Sequence, residues 1–215
     1  GRSRKQDGDA SADSASTPEP EPAFTRAQAM RTPAFWLLSL FTLLVYPVQA
    51  GISLHQAPHL IEIGIDSTIA ATIVSTFSLL SAISGVGFGL LARRIPTRLS
   101  LALVGLCLGA SALMMVHIET AAQGYASAAV FGFGIGGVLT LLPIAWADYF
   151  GRRSFGAIRG VALSIQVVAQ AAGPLLSGVL RDLSGDYALS LHCFAALGFA
   201  AALAALATTP PKRPD

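Results

Sequence analysis

Charged residues are scarce in this sequence. Asp, Glu, Lys and Arg make up 12% of the 215 residues, while 53% are hydrophobic; a soluble domain carries about twice that charge. The scarcity is concentrated in long stretches that hold no charged residue except Arg159 in the fifth. These apolar stretches are residues 34–57, 67–91, 99–117, 122–146, 158–180 and 187–207. A soluble globular domain is therefore excluded.

The length of the apolar stretches predicts transmembrane helices. A helix that rises 1.5 Å per residue needs about 20 residues to cross the hydrocarbon core of a bilayer, whereas a barrel strand needs about 10 and alternates polar with apolar. We predict an all-α membrane protein with six transmembrane helices in residues 26–209. A disordered cytoplasmic linker, 1–25, precedes this domain, and a cytoplasmic tail, 210–215, follows it.

Cysteine is also scarce, and no metal or cofactor pattern is present. The two cysteines, Cys107 and Cys193, lie inside apolar stretches and form no CxxC pair. The apolar stretches contain no nucleophile–base pair and no glycine-rich phosphate loop, so neither an enzyme nor a cofactor is predicted. The net charge of +2 gives no indication of nucleic-acid binding, because the basic residues are distributed as topology signals.

The basic residues predict the orientation. If the helices alternate in direction, every one of the 14 Lys and Arg residues except Arg181 falls on one side. Loops on the other side carry acidic residues, such as Glu62, Asp66 and Glu119. Cytoplasmic loops are enriched in Lys and Arg, so both ends of the chain are expected in the cytoplasm and the protein in the cell membrane.

Two stretches about 90 residues apart indicate an internal repeat. Residues 89–101 and 178–191 both run from a glycine through an apolar pair and a charged turn to Leu-Ser-Leu. Two three-helix repeats of inverted topology would produce this pattern. The absence of an initiator Met before a linker-like stretch favours the second half of a longer protein. A complete six-helix protein is the alternative.

Several motifs carry a resemblance to a known family. Gly89, Arg94 and Arg98 fit a loop motif G-x-x-x-D-R-x-G-R-R, although Arg93 and Pro96 depart from it. Residues 148–160, 31–38 and 173–178 occur in the order of further family motifs. The chain thus resembles the C-terminal half of a major facilitator superfamily transporter, similar to bacterial relatives of the monocarboxylate and oxalate/formate porters. The resemblance implies alternating access, an N-terminal six-helix half as partner, and coupling to protons or an exchanged anion.

Polar residues within apolar helices are the candidates for substrate contact. An amide buried in hydrocarbon is costly unless it finds a partner, a cavity or water, yet polar side chains also hydrogen-bond between helices for stability. The substrate-binding candidates are Tyr46, Gln49, Ser53, Gln56, Thr140, Gln166 and Gln170. His55 and His59, near the outer end of the first helix, are candidates for protonation, although a solvated vestibule is the competing expectation.

The basic loops are expected to form a cytoplasmic gate or to act as topology signals. The residues concerned are Arg94, Arg98, Asp148, Arg152, Arg153 and Arg159. The second apolar stretch, 67–91, has no charge at all, so an anionic substrate has no evident cationic anchor in this half. Either the other half supplies one or the substrate is not a simple anion.

The leading hypothesis is therefore half of a secondary transporter for a small organic solute, a monocarboxylate or similar anion. The bilayer, the solute and the other half are its expected partners. An exporter of apolar drugs or metabolites is one alternative, and a non-transporting membrane sensor is another.

Overall fold

The structure, a computed structural model, describes residues 24–92, 94–151 and 155–212. All regular secondary structure in these ranges is helical. The helices are α1 (Arg26–Met30), α2 (Pro33–Glu62), α3 (Ser67–Leu91), α4 (Thr97–Val116), α5 (Ala121–Phe150), α6 (Phe155–Ser184) and α7 (Ala188–Ala207).

Six helices, α2 to α7, are long and apolar enough to cross a membrane within the described ranges. They contain 20 to 30 residues each, and α2, α5 and α6 continue past the apolar stretches from which they were predicted. The chain is an integral membrane protein, and the predicted all-α fold class with six spans is confirmed. The short helix α1 is an addition that hydropathy could not indicate.

Polar side chains cap the N-termini of several helices. Thr32 accepts a hydrogen bond from the backbone N–H of Phe35, while Pro33 occupies the first turn of α2, where its missing N–H costs nothing. Thr120 and Gln123 form a reciprocal capping box at the start of α5. The N-cap residues, Thr32 and Thr120, lie just before their apolar stretches, so each helix begins where its apolar stretch begins.

The packing of the six spans has an internal symmetry. Helix α3 packs on α5 as α6 packs on α2, α4 packs on α5 as α7 packs on α2, and α4 and α7 pack on each other. Exchanging α2–α4 with α5–α7 leaves this pattern unchanged. Because three spans is an odd number, the second group of three enters the membrane from the opposite side. This arrangement is consistent with half of a major facilitator superfamily fold.

Glycines allow the α4–α7 contact to be close. A Cβ on Gly198 would lie 2.6 Å from the Cα of Gly109, and a Cβ on Gly105 would lie 2.7 Å from the backbone nitrogen of Ala202. Small residues at such crossings let helix backbones approach in a membrane, where the hydrophobic effect does not drive helices together. The two groups of three helices are therefore held together backbone to backbone.

Helices α3 and α6 are the least buried of the six spans. Only 17% of the apolar window of each is buried, against half or more for each of the other spans. A cluster of buried aromatic rings, including Phe35, Trp146 and Phe150, fills the end of the bundle where α2 begins and α5 ends. The gap described next lies beside this cluster.

Candidate functional site

A small gap between α2, α5 and α6 brings polar and charged side chains together. Its lining residues are Thr42, Leu142, Trp146, Arg159, Ala162, Leu163 and Gln166. Four of these lie on α6 at spacings of three and four residues, which places them on one face of that helix. The gap therefore exists because one face of α6 is turned towards α2 and α5.

Arg159 is the charged residue of this gap. Its guanidinium carbon lies 5.8 Å from the centre of the Phe155 ring, a cation–π distance. No salt bridge joins Arg159 to a carboxylate within the described ranges. The sequence indicated a residue of a cytoplasmic loop or gate. In the structure Arg159 is half-buried one turn inside α6, and its side chain lines this gap.

The two glutamines of α6 occupy different surroundings. Gln166 lines the gap together with Arg159 and Thr42. Gln170, one turn further along, is exposed on the outer surface of this chain. Both lie near the middle of the 30-residue helix, so both are close to the membrane midplane if the helix spans symmetrically.

The polar residues of α2 are divided between half-buried and enclosed positions. Gln49 and Ser53 are half-buried, and the Gln49 side-chain oxygen is buried without a hydrogen-bond partner in the described chain. Gln56 is fully buried, and neither its amide nitrogen nor its amide oxygen has a partner there. Tyr46 is 4% exposed. Gln49, Ser53 and Gln56 lie on one face of α2, as their spacing predicts. This face is half-buried at Gln49 and Ser53 and fully buried at Gln56.

Thr140 serves a helix–helix contact. Its hydroxyl donates a hydrogen bond of 3.3 Å to the backbone carbonyl of Gly85. This bond ties α5 to α3, and Thr140 is not among the residues that line the gap. The structure therefore does not bring Thr140 together with Arg159 and Gln166.

The two histidines of α2 lie at the opposite end of the bundle, and both are engaged. His55 Nδ1 lies 3.2 Å from the Tyr187 hydroxyl, and its Nε2 lies 3.2 Å from the carbonyl oxygen of Pro174. His59 Nε2 lies 2.9 Å from the carbonyl oxygen of Met115. His59 is only 7% exposed, so the expectation of a solvated vestibule is wrong for this residue, because packing against α4 encloses it.

Charged residues surround Tyr187 at this end. Arg181 lies 3.6 Å from Glu62 and stacks 5.9 Å from the centre of the Tyr187 ring. Burial raises the pKa of Tyr187, and the positive charge of Arg181 partly opposes that rise. The phenol therefore stays protonated at neutral pH and can donate to His55 when Nδ1 carries no proton.

The remaining predicted residues lie near the loops. Arg98 and Asp148 line a second gap together with Tyr149, at the end where α4 begins and α5 finishes. Arg94 lies just after α3 and is exposed. Arg93, Arg152 and Arg153 are outside the described residues.

Comparisons with known proteins point to one kind of protein. No protein-family profile matches the chain. Monocarboxylate transporter 7 of Homo sapiens is 32% identical over 163 residues, which is 74% of this chain and 31% of the relative. Monocarboxylate transporter 12 of Mus musculus is 25% identical over 184 residues, 79% of this chain and 37% of the relative.

The chain is similar to monocarboxylate transporters. It spans about a third of the length of these curated relatives. Their names denote transporters and not enzymes, in agreement with the prediction from sequence. The similarity covers most of the chain, as expected for a region that includes the six spans.

Proposed function

We propose that this chain forms the C-terminal six-helix half of a secondary transporter that moves a small organic anion, a monocarboxylate or similar solute, by alternating access. The six spans, the internal symmetry and the similarity to monocarboxylate transporters support the transporter part. The placement of Arg159 beside Gln166 and Thr42 supports the anionic substrate.

The Arg159 placement is the observation on which the proposal rests. A guanidinium presents planar donors that fit a carboxylate with two parallel hydrogen bonds, and such charge-assisted bonds are roughly twice as strong as neutral ones. Desolvating a cation is costly unless another group compensates it. Arg159 is half-buried, and within the described residues its charge lies against the Phe155 ring. The gap is too narrow to admit a water molecule in this structure, so a carboxylate would reach the guanidinium after the helices move apart during alternating access.

Neighbouring polar groups fit the same role. The Gln166 amide and the Thr42 hydroxyl line the gap, although Thr42 donates 2.8 Å to the carbonyl of Leu38. The amide can donate to a second substrate oxygen. Gln49 and Gln170 do not line the gap, but each lies near the middle of its helix, at the depth where transporter sites occur.

The other half of the transporter would cover the outer faces of α3 and α6. Along α3, Ala71, Ser75, Ser78 and Ala82 form a face of small residues, most of it exposed in this chain. On α6, Gln170 is exposed where the helix is at mid-depth. Small and polar residues suit close helix packing better than lipid contact, so we assign both faces to the N-terminal half.

Coupling and subfamily are finer parts of the proposal. His55 and His59 remain candidates for protonation. A proton on His55 would change the hydrogen bond between its Nδ1 and the Tyr187 hydroxyl. Protonating His55 turns both ring nitrogens into donors, so the Tyr187 hydroxyl would have to accept. A closer relationship to oxalate/formate porters rests on the loop motifs alone.

Transport by the full-length protein in proteoliposomes tests the proposal. Labelled short-chain monocarboxylates, such as lactate, should enter with saturation and be displaced by other carboxylates. Efflux of an apolar dye without carboxylate uptake would indicate the drug-exporter alternative. The absence of flux for either class, with the protein correctly inserted, would favour a sensor and would overturn the proposal.

A further inference from the structure

An apolar groove separates α3 from α4 on the outside of the bundle. It is lined by α3, α4 and α5 and has a volume of about 900 Å³. Its lining includes Leu80, Ile83, Leu90, Phe133 and, at one end, Arg94. Helices α3 and α4 are joined by a short turn but do not pack along their lengths, and their divergence creates the groove.

The groove has the depth of a single membrane leaflet. Helix α3 runs from Ser67 to Leu91, so Leu80 lies near its middle and Leu91 at its end. Their separation of 11 positions corresponds to a rise of about 16 Å, which is close to half of the hydrocarbon thickness of about 30 Å. The groove thus extends from the bilayer midplane to the boundary at Arg94.

Arg94 places a positive charge where this apolar groove meets the headgroup region. It is exposed, and within the described residues it forms no salt bridge with a carboxylate. Basic residues just outside a span attract anionic lipid headgroups. The acyl chain of a phospholipid matches the apolar groove in shape, and its phosphate matches the positive charge of Arg94 at the end of the groove.

We propose that this groove is a binding site for an anionic phospholipid of the bilayer. One acyl chain lies against Leu80, Ile83, Leu90 and Phe133, and the phosphate contacts the Arg94 guanidinium. The site depends on the membrane location of the chain and not on the transport proposal.

The groove side of α3 is distinct from the side that suits the other half of the transporter. At about 100° per residue, Ile83 and Gly87 point roughly 100° away from Ser75 and Ala82. The first side carries large apolar residues, and both Ile83 and Leu90 are well exposed, at 58% and 75%. The second side carries small and hydroxyl residues, which favour helix contacts. A lipid and a helix can therefore occupy α3 at once.

Gly87 offers a way to fill the groove without disturbing the fold. It lines the groove, and a Cβ added to it would meet nothing within 4 Å. Gly178 on α6 has equally open space around it, lies away from the groove, and points about 80° away from Gln170, the residue that marks the side of α6 assigned to the N-terminal half. Gly87→Leu and Gly178→Leu therefore make the same chemical change inside and outside the proposed site.

Lipid retention by the purified full-length protein tests the proposal. The protein is stripped of lipid in detergent and titrated with palmitoyl-oleoyl phosphatidylglycerol or with the corresponding phosphatidylcholine, and bound lipids are counted by native mass spectrometry. We expect about a fivefold preference for phosphatidylglycerol, the effect of roughly one basic residue at an anionic headgroup. Arg94→Gln should abolish the preference, whereas Arg98→Gln, which lies beside Asp148, should keep it.

The groove variants separate the acyl chain from the headgroup. Gly87→Leu should reduce retention of both lipids to the background level measured without added lipid. Gly178→Leu should retain both lipids as the unchanged protein does. Thermal unfolding of each variant identifies any loss of fold. Equal retention by Gly87→Leu and Gly178→Leu, or a preference that survives Arg94→Gln, would overturn the proposal. Displacement of phosphatidylglycerol by inorganic phosphate alone would overturn the lipid assignment.

Discussion

Gly173 on α6 lies directly against the backbone of Pro47 on α2. A Cβ on Gly173 would overlap the Pro47 carbonyl oxygen and lie 2.8 Å from the Pro47 Cα. Both residues are buried in their helices, and a proline in a helix removes one backbone hydrogen bond. The crossing therefore combines an interrupted helix with the closest approach that a glycine permits, and it holds α6 in the orientation that turns Arg159 inwards.

The first prediction concerns this crossing. Gly173→Ala should destabilise the protein by about 1–3 kcal/mol, because the neighbour to be displaced is backbone and cannot rotate away. Unfolding in detergent, followed by tryptophan fluorescence, measures the change. Gly178→Ala on the same helix has open space at its Cβ and should be neutral or slightly stabilising. A loss in Gly178→Ala as large as that in Gly173→Ala would contradict the assigned role of the crossing, because alanine has the higher helix propensity and Gly178 has no close neighbour at its Cβ.

Gln56 supplies the second prediction. Its amide is fully enclosed and has no partner in the described residues, and an unsatisfied buried polar group costs about 1–3 kcal/mol. Gln56→Met keeps the length of the side chain and should raise the unfolding temperature. Gln123→Met is the matched control, since Gln123 accepts hydrogen bonds from the backbone N–H groups of Glu119 and Thr120, and its loss should be destabilising. If Gln56→Met also destabilises, the amide is satisfied in the assembled protein.

Asp66 gives the third prediction, a pH dependence. Backbone N–H groups of Ile69 and Thr68 donate to its carboxylate at the start of α3, and they hold its pKa below the usual value of about 4. Because the folded pKa is the lower one, the stabilisation is complete above the unfolded pKa and is lost as pH falls through the folded pKa. Asp66→Ala should therefore lower the unfolding temperature at pH 7, and the difference should shrink in acid.

The comparison with Asp66→Asn separates charge from capping. Asparagine keeps a side-chain oxygen that can accept the same bonds, but it does not titrate. The stability difference between Asp66→Asn and Asp66→Ala should therefore show no acid transition between pH 5 and pH 2, whereas the native protein should lose its advantage over both in that range. A difference between the native protein and Asp66→Ala that stays constant down to pH 2 would contradict the assigned role of the carboxylate.

The fourth prediction concerns the orientation in the membrane. With Cys107 and Cys193 replaced by alanine, single cysteines are introduced as Glu119→Cys and Lys212→Cys. Intact cells are then treated with a membrane-impermeant maleimide. The distribution of basic residues predicts labelling at position 119 and protection at position 212 until the membrane is opened. The reverse pattern would place the basic loops outside.

Much of the architecture could be predicted from the sequence, for a simple reason. The bilayer forbids charge over about 20 residues, so stretches such as 67–91 are visible in composition alone. The faint repeat at Gly89 and Gly178 indicated the pairing of two three-helix groups. Both features, the absence of charge and the repeat, are patterns within one sequence, so they can be seen without the structure.

The site could be predicted less well, because side-chain direction depends on which helices pack together. Gln166 was a candidate on polarity, but the inward turn of Arg159 follows from the packing of α6 on α2, which hydropathy does not encode. His59 was expected in solvent because it lies near a helix end, yet α4 passes over it and accepts its hydrogen bond through Met115. The α3–α4 groove left no pattern in the sequence, because it arises from the divergence of two helices.

The most direct test of the transport proposal is the Michaelis constant for a carboxylate in proteoliposomes, measured with native protein, Arg159→Gln and Arg159→Lys. Removing a charge-assisted partner should raise KM about 10- to 100-fold in Arg159→Gln, with partial recovery in Arg159→Lys, which keeps the charge but not the planar fork. Exchange of lactamide, the uncharged analogue of lactate, should change little. An equal effect on both compounds, or none on lactate, would contradict Arg159 as the anion anchor.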